Sequence, residues 1–215
     1  MKNKNTLYHF ILDKSASMSD VREETVVMFN KQVDLMKELS KTYTDQNFYA
    51  GMTMFNDTVE HVYSFAPSEE IGLLRYERYL PSGMTALYDA IGESVSRIKE
   101  RYSEDLTHDK MSVVVVVLTD GHENASREYR MDEIARLIKE LEFTEKWSFS
   151  ILGADFDITR VSEQLNFQAS DSRQYSKKSY FMIEDDIEES IRSYADKKSK
   201  GIIDKDFLKE KKRTR

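Results

Sequence analysis

Residues 113–118 restrict the fold more than any other segment of the sequence. They form a run of five valines and one leucine, without alternation of polar and apolar side chains. Such a run is typical of a central strand that is buried on both faces, because helices cover each side of the sheet. The segment therefore predicts a sheet that lies between two layers of helices.

Apolar strands and amphipathic helices alternate along the rest of the chain. Strands are predicted at 7–12 and 147–152, and residues 48–55 and 59–65 are predicted to form a hairpin. Apolar side chains at helical spacing predict four helices, marked by Val26, Phe29, Val33 and Met36, by Leu87, Ala90, Ile91, Val95 and Ile98, by Met131, Ile134, Ile138 and Leu141, and by Tyr180, Ile183, Ile187, Ile191 and Tyr194.

This order of elements defines the expected fold class. We expect an α/β fold with a doubly wound, mostly parallel central sheet, one antiparallel edge strand and helices on both faces. The polar residues 168–179 are predicted to form a surface loop. One domain is expected at 1–196, followed by a basic tail at 197–215.

Composition and charge exclude several classes of protein. The chain has 215 residues and no cysteine, which excludes disulfide scaffolds, catalytic thiols and thiolate metal sites. The tail has nine basic and three acidic residues, a net charge of +6, which leaves −13 for residues 1–196 and argues against a nucleic-acid-binding domain. The tail is either a solvated end or a contact for phosphates or membrane surfaces. Without a signal segment or a membrane span, we expect a cytoplasmic protein.

Two aspartates follow predicted strands directly. Asp13 comes directly after the segment 7–12, and Asp120 follows the segment 113–118 after one threonine. Because parallel strands end at the same edge of a sheet, the two carboxylates are expected a few ångströms apart, where they repel unless a cation lies between them.

Three hydroxyl side chains accompany these aspartates. Ser15 and Ser17 follow Asp13 at alternate positions, and Thr85 lies where a predicted helix begins. Together with Asp13 and Asp120 they form a set of hard oxygen ligands, which suits Mg²⁺ or Mn²⁺. Taken alone, each hydroxyl is better explained as a helix N-cap, and Asp120 followed by glycine as an ordinary turn; only the five residues together favour a metal site.

As an ordered set, these residues resemble a known metal site. Asp13-x-Ser15-x-Ser17, Thr85 and Asp120 are similar to the metal-ion-dependent adhesion site of the von Willebrand factor type A family, and the resemblance extends over nearly the whole chain. Segment 123–129 further resembles a stand-alone intracellular subgroup of bacteria and their phages. Ala16 departs from the pattern, because many members have glycine there.

The resemblance implies a binding module and not an enzyme. In such families Ser15, Ser17 and Thr85 ligate the metal directly, while Asp13 and Asp120 act largely through water. The neutral hydroxyls leave the cation attractive to a Glu or Asp carboxylate of a protein partner. His122 and Glu123 are candidate rim residues that contact this partner, or solvated loop residues.

Two other functions stay open at this point. A metal-dependent phosphoryl-transfer or hydrolytic enzyme could use Asp13 as nucleophile, but the position two residues on is Ser15, so the general acid of the haloacid dehalogenase pattern is missing. The metal site could also be non-functional, with another face of the domain binding a partner.

Overall fold

The buried valine run lies in the middle of a six-stranded sheet. The computed structural model describes residues 4–154, 158–202 and 206–208. Across the sheet the strands are ordered β3-β2-β1-β4-β5-β6. Their bounds are β1 (Asn5–Asp13), β2 (Asn47–Phe55), β3 (Val59–Pro67), β4 (Met111–Thr119), β5 (Trp147–Ala154) and β6 (Ser172–Tyr175).

Strand directions match the predicted class. Only β3 runs antiparallel, and it lies at one edge, where it pairs with β2. All other neighbouring strands are parallel. Since β1 pairs with both β2 and β4, the sheet winds outward from β1 in two directions. The doubly wound, mostly parallel sheet with one antiparallel edge strand is therefore confirmed.

Helices cover both faces of this sheet. Their bounds are α1 (Arg22–Thr42), α2 (Leu87–Arg101), α3 (Ser103–Thr107), α4 (Met131–Phe143), α5 (Ile158–Gln164) and α6 (Phe181–Ser199). Apolar residues of α1 and α6 pack on one face with Val114 and Val116, and those of α2 and α4 pack on the other with Val113 and Val115. Every residue of β4 is buried, which explains the missing alternation in its sequence.

The interpretation of residues 168–179 as a loop is wrong in part. Ser172–Tyr175 forms β6, which pairs in parallel with β5 at the sheet edge. Its first three residues are polar, so the segment has no apolar pattern, yet its backbone hydrogen bonds to β5 and Tyr175 is buried. Polar side chains are tolerated here because three of the four residues of β6 are not fully buried.

The last residues that the structure describes pack against the rest of the domain. Helix α6 ends at Ser199, and Phe207 and Leu208 are buried against the α1 and α6 face. Residues 203–205 and 209–215 of the basic tail lie outside the described residues. Within the described part of the chain, no helix combines the length and apolar character that a membrane crossing requires.

Candidate metal centre

The five predicted site residues meet at the ends of β1 and β4. Asp13 is the last residue of β1, and its side chain is fully buried. Its Oδ1 accepts a hydrogen bond from the Ser15 backbone amide at 2.7 Å, and its Oδ2 accepts one from the Thr119 hydroxyl at 2.6 Å. Beneath it, the Tyr79 hydroxyl donates to the Asp13 carbonyl oxygen. These bonds fix the carboxylate at the rim of the sheet.

The loop after β1 brings two hydroxyls to the same rim. Ser15 Oγ lies 3.1 Å from Ser17 Oγ, and the Ser17 hydroxyl donates to Asp120 Oδ1 at 2.5 Å. Ser17 and Asp120 are 103 residues apart in sequence, so the sheet, and not the local chain, makes this contact. Asp120 Oδ2 is buried, and Lys177 Nζ lies 3.3 Å from it.

Gly121 shows how closely the remaining oxygens converge. A Cβ atom at this glycine would lie 2.8 Å from Thr85 Oγ1 and 3.6 Å from both Asp13 Oδ2 and Ser15 Oγ. Three oxygens from two separate segments of the chain, the end of β1 and the residues before α2, therefore surround one point, which a side chain would fill. A small hard cation fits such a cradle of oxygen donors.

The capping explanation for the three hydroxyls is not realised. Ser15 precedes a 3₁₀ turn but accepts no capping hydrogen bond, and the N-cap position of α2 is Ala86, not Thr85. Ser17 bonds instead to Ser15 and Asp120. The Ser15 and Ser17 hydroxyls therefore face each other, and that of Ser17 also faces Asp120.

The electrostatics of the rim also favour a cation. Burial raises the pKa of the Asp13 carboxyl to about 6, hydrogen bonds from Thr119 and Ser15 oppose this rise, and the charge of Asp120 adds to it. A cation between the two carboxylates would stabilise both in the ionised form. The residues present thus fit a divalent ion, although among the described residues no three His, Asp or Glu side chains form a metal-holding group.

The two predicted rim residues have different environments. His122 is exposed next to the site. Glu123 is half-buried and turned toward the protein: its Oε1 accepts from the Ala125 and Ser126 amides at 2.9 and 2.8 Å, and its Oε2 accepts from the Tyr88 amide at 3.0 Å. Both oxygens of Glu123 are thus engaged inside the domain, and its carboxylate caps the first turn of α2.

Segment 123–129 attaches the Asp120 loop to α2, a role that the sequence did not reveal. The Asn124 side chain accepts from the Thr85 amide at 2.9 Å, and the Asn124 amide donates to the Thr85 carbonyl at 3.0 Å. Farther along, Asp89 accepts from the amides of Arg127, Glu128 and Tyr129 at 2.8 to 3.0 Å. This segment therefore holds Thr85 in position beside Asp120.

Fold and site together define a class of protein: an α/β domain with a cluster of hydroxyls and carboxylates at the carboxyl ends of its central strands. The von Willebrand factor type A domain family matches residues 9–193, and the chain belongs to this family. A search of curated protein sequences gives no match.

Solved structures of similar fold share little sequence with the chain. A von Willebrand factor type A protein from Catenulispora acidiphila is 13% identical with a TM-score of 0.59, over 91% of this chain and 43% of the other. The PilB minor pilin from Streptococcus sanguinis is 12% identical with a TM-score of 0.58, over 89% and 62%. Proximal thread matrix protein 1 from the mussel byssus, with a zinc-occupied MIDAS motif, is 16% identical with a TM-score of 0.59, over 86% and 45%. The chain thus spans about two fifths to three fifths of these larger proteins, and the likeness shows the fold.

Proposed function

We propose that the domain binds Mg²⁺, or alternatively Mn²⁺, and uses it to dock a Glu or Asp side chain of a protein partner. The observation that carries this proposal is the convergence of Thr85, Asp13 and Ser15 oxygens on one point beside Gly121. Ser17 and Asp120 complete the set through their 2.5 Å hydrogen bond. An all-oxygen set of this kind suits a hard divalent ion.

The residues divide into two groups by charge. Ser15, Ser17 and Thr85 offer neutral oxygens as direct ligands. Asp13 and Asp120 offset part of the positive charge of the ion, largely through bridging water. When bound, the ion supplies an incompletely neutralised positive charge that attracts a carboxylate. Because residues 1–196 carry a net charge of −13, recognition of an acidic partner depends on this local charge and not on long-range attraction.

We propose a binding role and not catalysis. Both oxygens of Asp13 accept hydrogen bonds, from Ser15 and Thr119, and the side chain is fully buried, which disfavours nucleophilic attack on a phosphoester. The mussel-byssus protein, with its zinc-occupied MIDAS motif, lends support by analogy, because its fold is similar.

The test is divalent-dependent capture of a partner from an extract of the source organism. We expect the immobilised domain to retain a protein in Mg²⁺ that EDTA releases, and Ser17→Ala to lose it. Ser19→Ala is the matched control, because Ser19 lies on the same 3₁₀ turn but its hydroxyl donates to the Ala16 carbonyl, away from the other oxygens. Identical retained proteins in Mg²⁺ and EDTA would show that docking does not use the metal.

A further inference from the structure

A lysine side chain lies at the edge of the candidate metal centre. Lys177 belongs to the turn between β6 and α6, and its Nζ donates to the Ser17 carbonyl at 2.9 Å and to Asp20 Oδ2 at 3.1 Å. The same Nζ lies 3.3 Å from Asp120 Oδ2. The ammonium group therefore contacts the loop of one predicted ligand and the carboxylate of another.

The contact with Asp120 is largely removed from water. The Asp120 side chain is 1% exposed and that of Lys177 is 28% exposed. An ion pair in such a place is less screened by salt than one on the surface.

We propose that Lys177 sets the divalent-ion affinity of this site by competing for Asp120. Like charges in a partly buried site repel, so the ammonium and the divalent ion cannot both interact fully with the same carboxylate. Lys177 neutralises Asp120 and makes binding of the ion weaker than the oxygen cradle alone would allow. This inference rests on the proposed metal site and adds to it a residue that lies 160 positions after Ser17 in the sequence.

The geometry also distinguishes this role from general charge effects. Lys178 is the next residue and carries the same charge, but it is exposed and makes no ion pair within the described part of the chain. If Lys177 competes for Asp120, the Mg²⁺ affinity should change on substitution of Lys177 and stay the same on substitution of Lys178.

The test is calorimetric titration of MgCl₂ into chelator-stripped protein. We expect Lys177→Met to bind Mg²⁺ about fivefold to tenfold more tightly than the wild type, while Lys177→Arg, which keeps the charge, stays close to it. Lys178→Met is the matched control and should match the wild type. In EDTA, Lys177→Met should unfold at a lower temperature than the wild type, since two neighbouring carboxylates lose their counter-charge.

Competition predicts that Lys177→Met binds Mg²⁺ more tightly but is less stable in EDTA. A purely structural contact predicts lower stability without tighter binding. Unchanged or weaker Mg²⁺ binding by Lys177→Met, with normal binding by the wild type, would overturn the role of Lys177 and leave the metal site standing. No Mg²⁺ binding by any variant, including the wild type, would overturn both.

Discussion

Gly121 leaves the space that the candidate metal centre needs. Of the described glycines only Gly83 and Gly201 have a positive φ, so the backbone of Gly121 can accept an alanine. The added methyl group would still lie 2.8 Å from Thr85 Oγ1 and would fill the point on which the oxygens converge. The requirement for glycine here is therefore one of space and not of backbone conformation.

We expect Gly121→Ala to weaken Mg²⁺ binding at least about tenfold, because each 1.4 kcal/mol lost is a factor of ten. The measurement is calorimetric titration of the folded variant, with folding checked by circular dichroism. Gly72→Ala is the control, since nothing lies within 4 Å of a Cβ at that position. Equal Mg²⁺ affinity in the wild type and Gly121→Ala would mean that the ion does not use this cradle.

For single residues, the sequence indicates the candidate metal-site residues more clearly than the residues that contact them. Asp13, Ser15 and Asp120 follow apolar strands, so their place at the rim follows from the topology of a parallel sheet. Glu123 and Lys177 follow no such pattern. Their roles depend on contacts with Tyr88 and Ser17, which only the folded chain brings together.

Among the elements, α2 depends on a loop that is distant in sequence for its first turn. Its own N-cap residue makes no side-chain capping bond. The Tyr88 and Asp89 amides donate instead to Glu123 Oε2 and to the Ser126 hydroxyl, at 3.0 and 3.1 Å. In return, Asp89 accepts three amides from the same loop. This exchange fixes the position of Thr85 just before the helix.

We expect Asp89→Ala to lower the free energy of unfolding by about 2–4 kcal/mol, because three backbone amides lose a charged acceptor. Mg²⁺ binding should also weaken, since the loop that holds Thr85 loses its attachment. Chemical denaturation and Mg²⁺ titration measure the two effects. Glu100→Ala, an exposed change on the same helix, should leave both unchanged. Full stability in Asp89→Ala would contradict this role of the loop.

The sequence predicts elements where the hydrophobic pattern is strong, either as an unbroken apolar run or as a helical stripe. The valine run of β4 and the apolar stripe of α2 both bury their side chains as their patterns indicate. Strand β6 was not predicted, because its sequence Ser-Arg-Gln-Tyr is mostly polar and its pairing with β5 is a backbone interaction. Such pairing leaves no mark in the side-chain pattern.

At the level of the whole molecule, Phe207 and Leu208, the last described residues, pack in the hydrophobic core. Phe207 packs against Tyr8 and Tyr194, with ring centroids 6.1 and 6.4 Å away. The Leu208 amide donates to Asp171 Oδ1 at 2.7 Å. Basic residues dominate the composition of residues 197–215, so the packing of two apolar residues of this segment in the core was not predicted.

The contribution of Asp171, which accepts a hydrogen bond from the Leu208 amide, to the stability of the fold should depend on pH. Burial raises the pKa of the Asp171 carboxyl to about 7, the Leu208 amide opposes the rise, and the charges of Asp206 and Glu142 add to it. The folded state therefore binds a proton more tightly than the unfolded state, in which the pKa is about 3.9. The resulting stabilisation is complete below that value and is lost as pH rises through 7.

We expect the wild type to lose about 2–4 kcal/mol of stability relative to Asp171→Asn between pH 4 and pH 8. Asparagine keeps an oxygen for the Leu208 amide but carries no charge. Urea denaturation of both proteins across this range gives the difference, and Asp132→Asn, an exposed change, is the control. A difference in stability that does not vary with pH would show that Asp171 ionises alike in both states.

Thermal unfolding of chelator-stripped protein, with and without MgCl₂, tests whether the rim of the sheet binds a divalent cation. At about 100 times the dissociation constant, Mg²⁺ should add about 2.7 kcal/mol of stability, which raises the Tm by roughly 5–10 °C. Thr85→Ala should remove this shift while keeping the fold. A wild-type Tm that does not change at millimolar Mg²⁺ or Mn²⁺ would contradict divalent-ion binding at this rim.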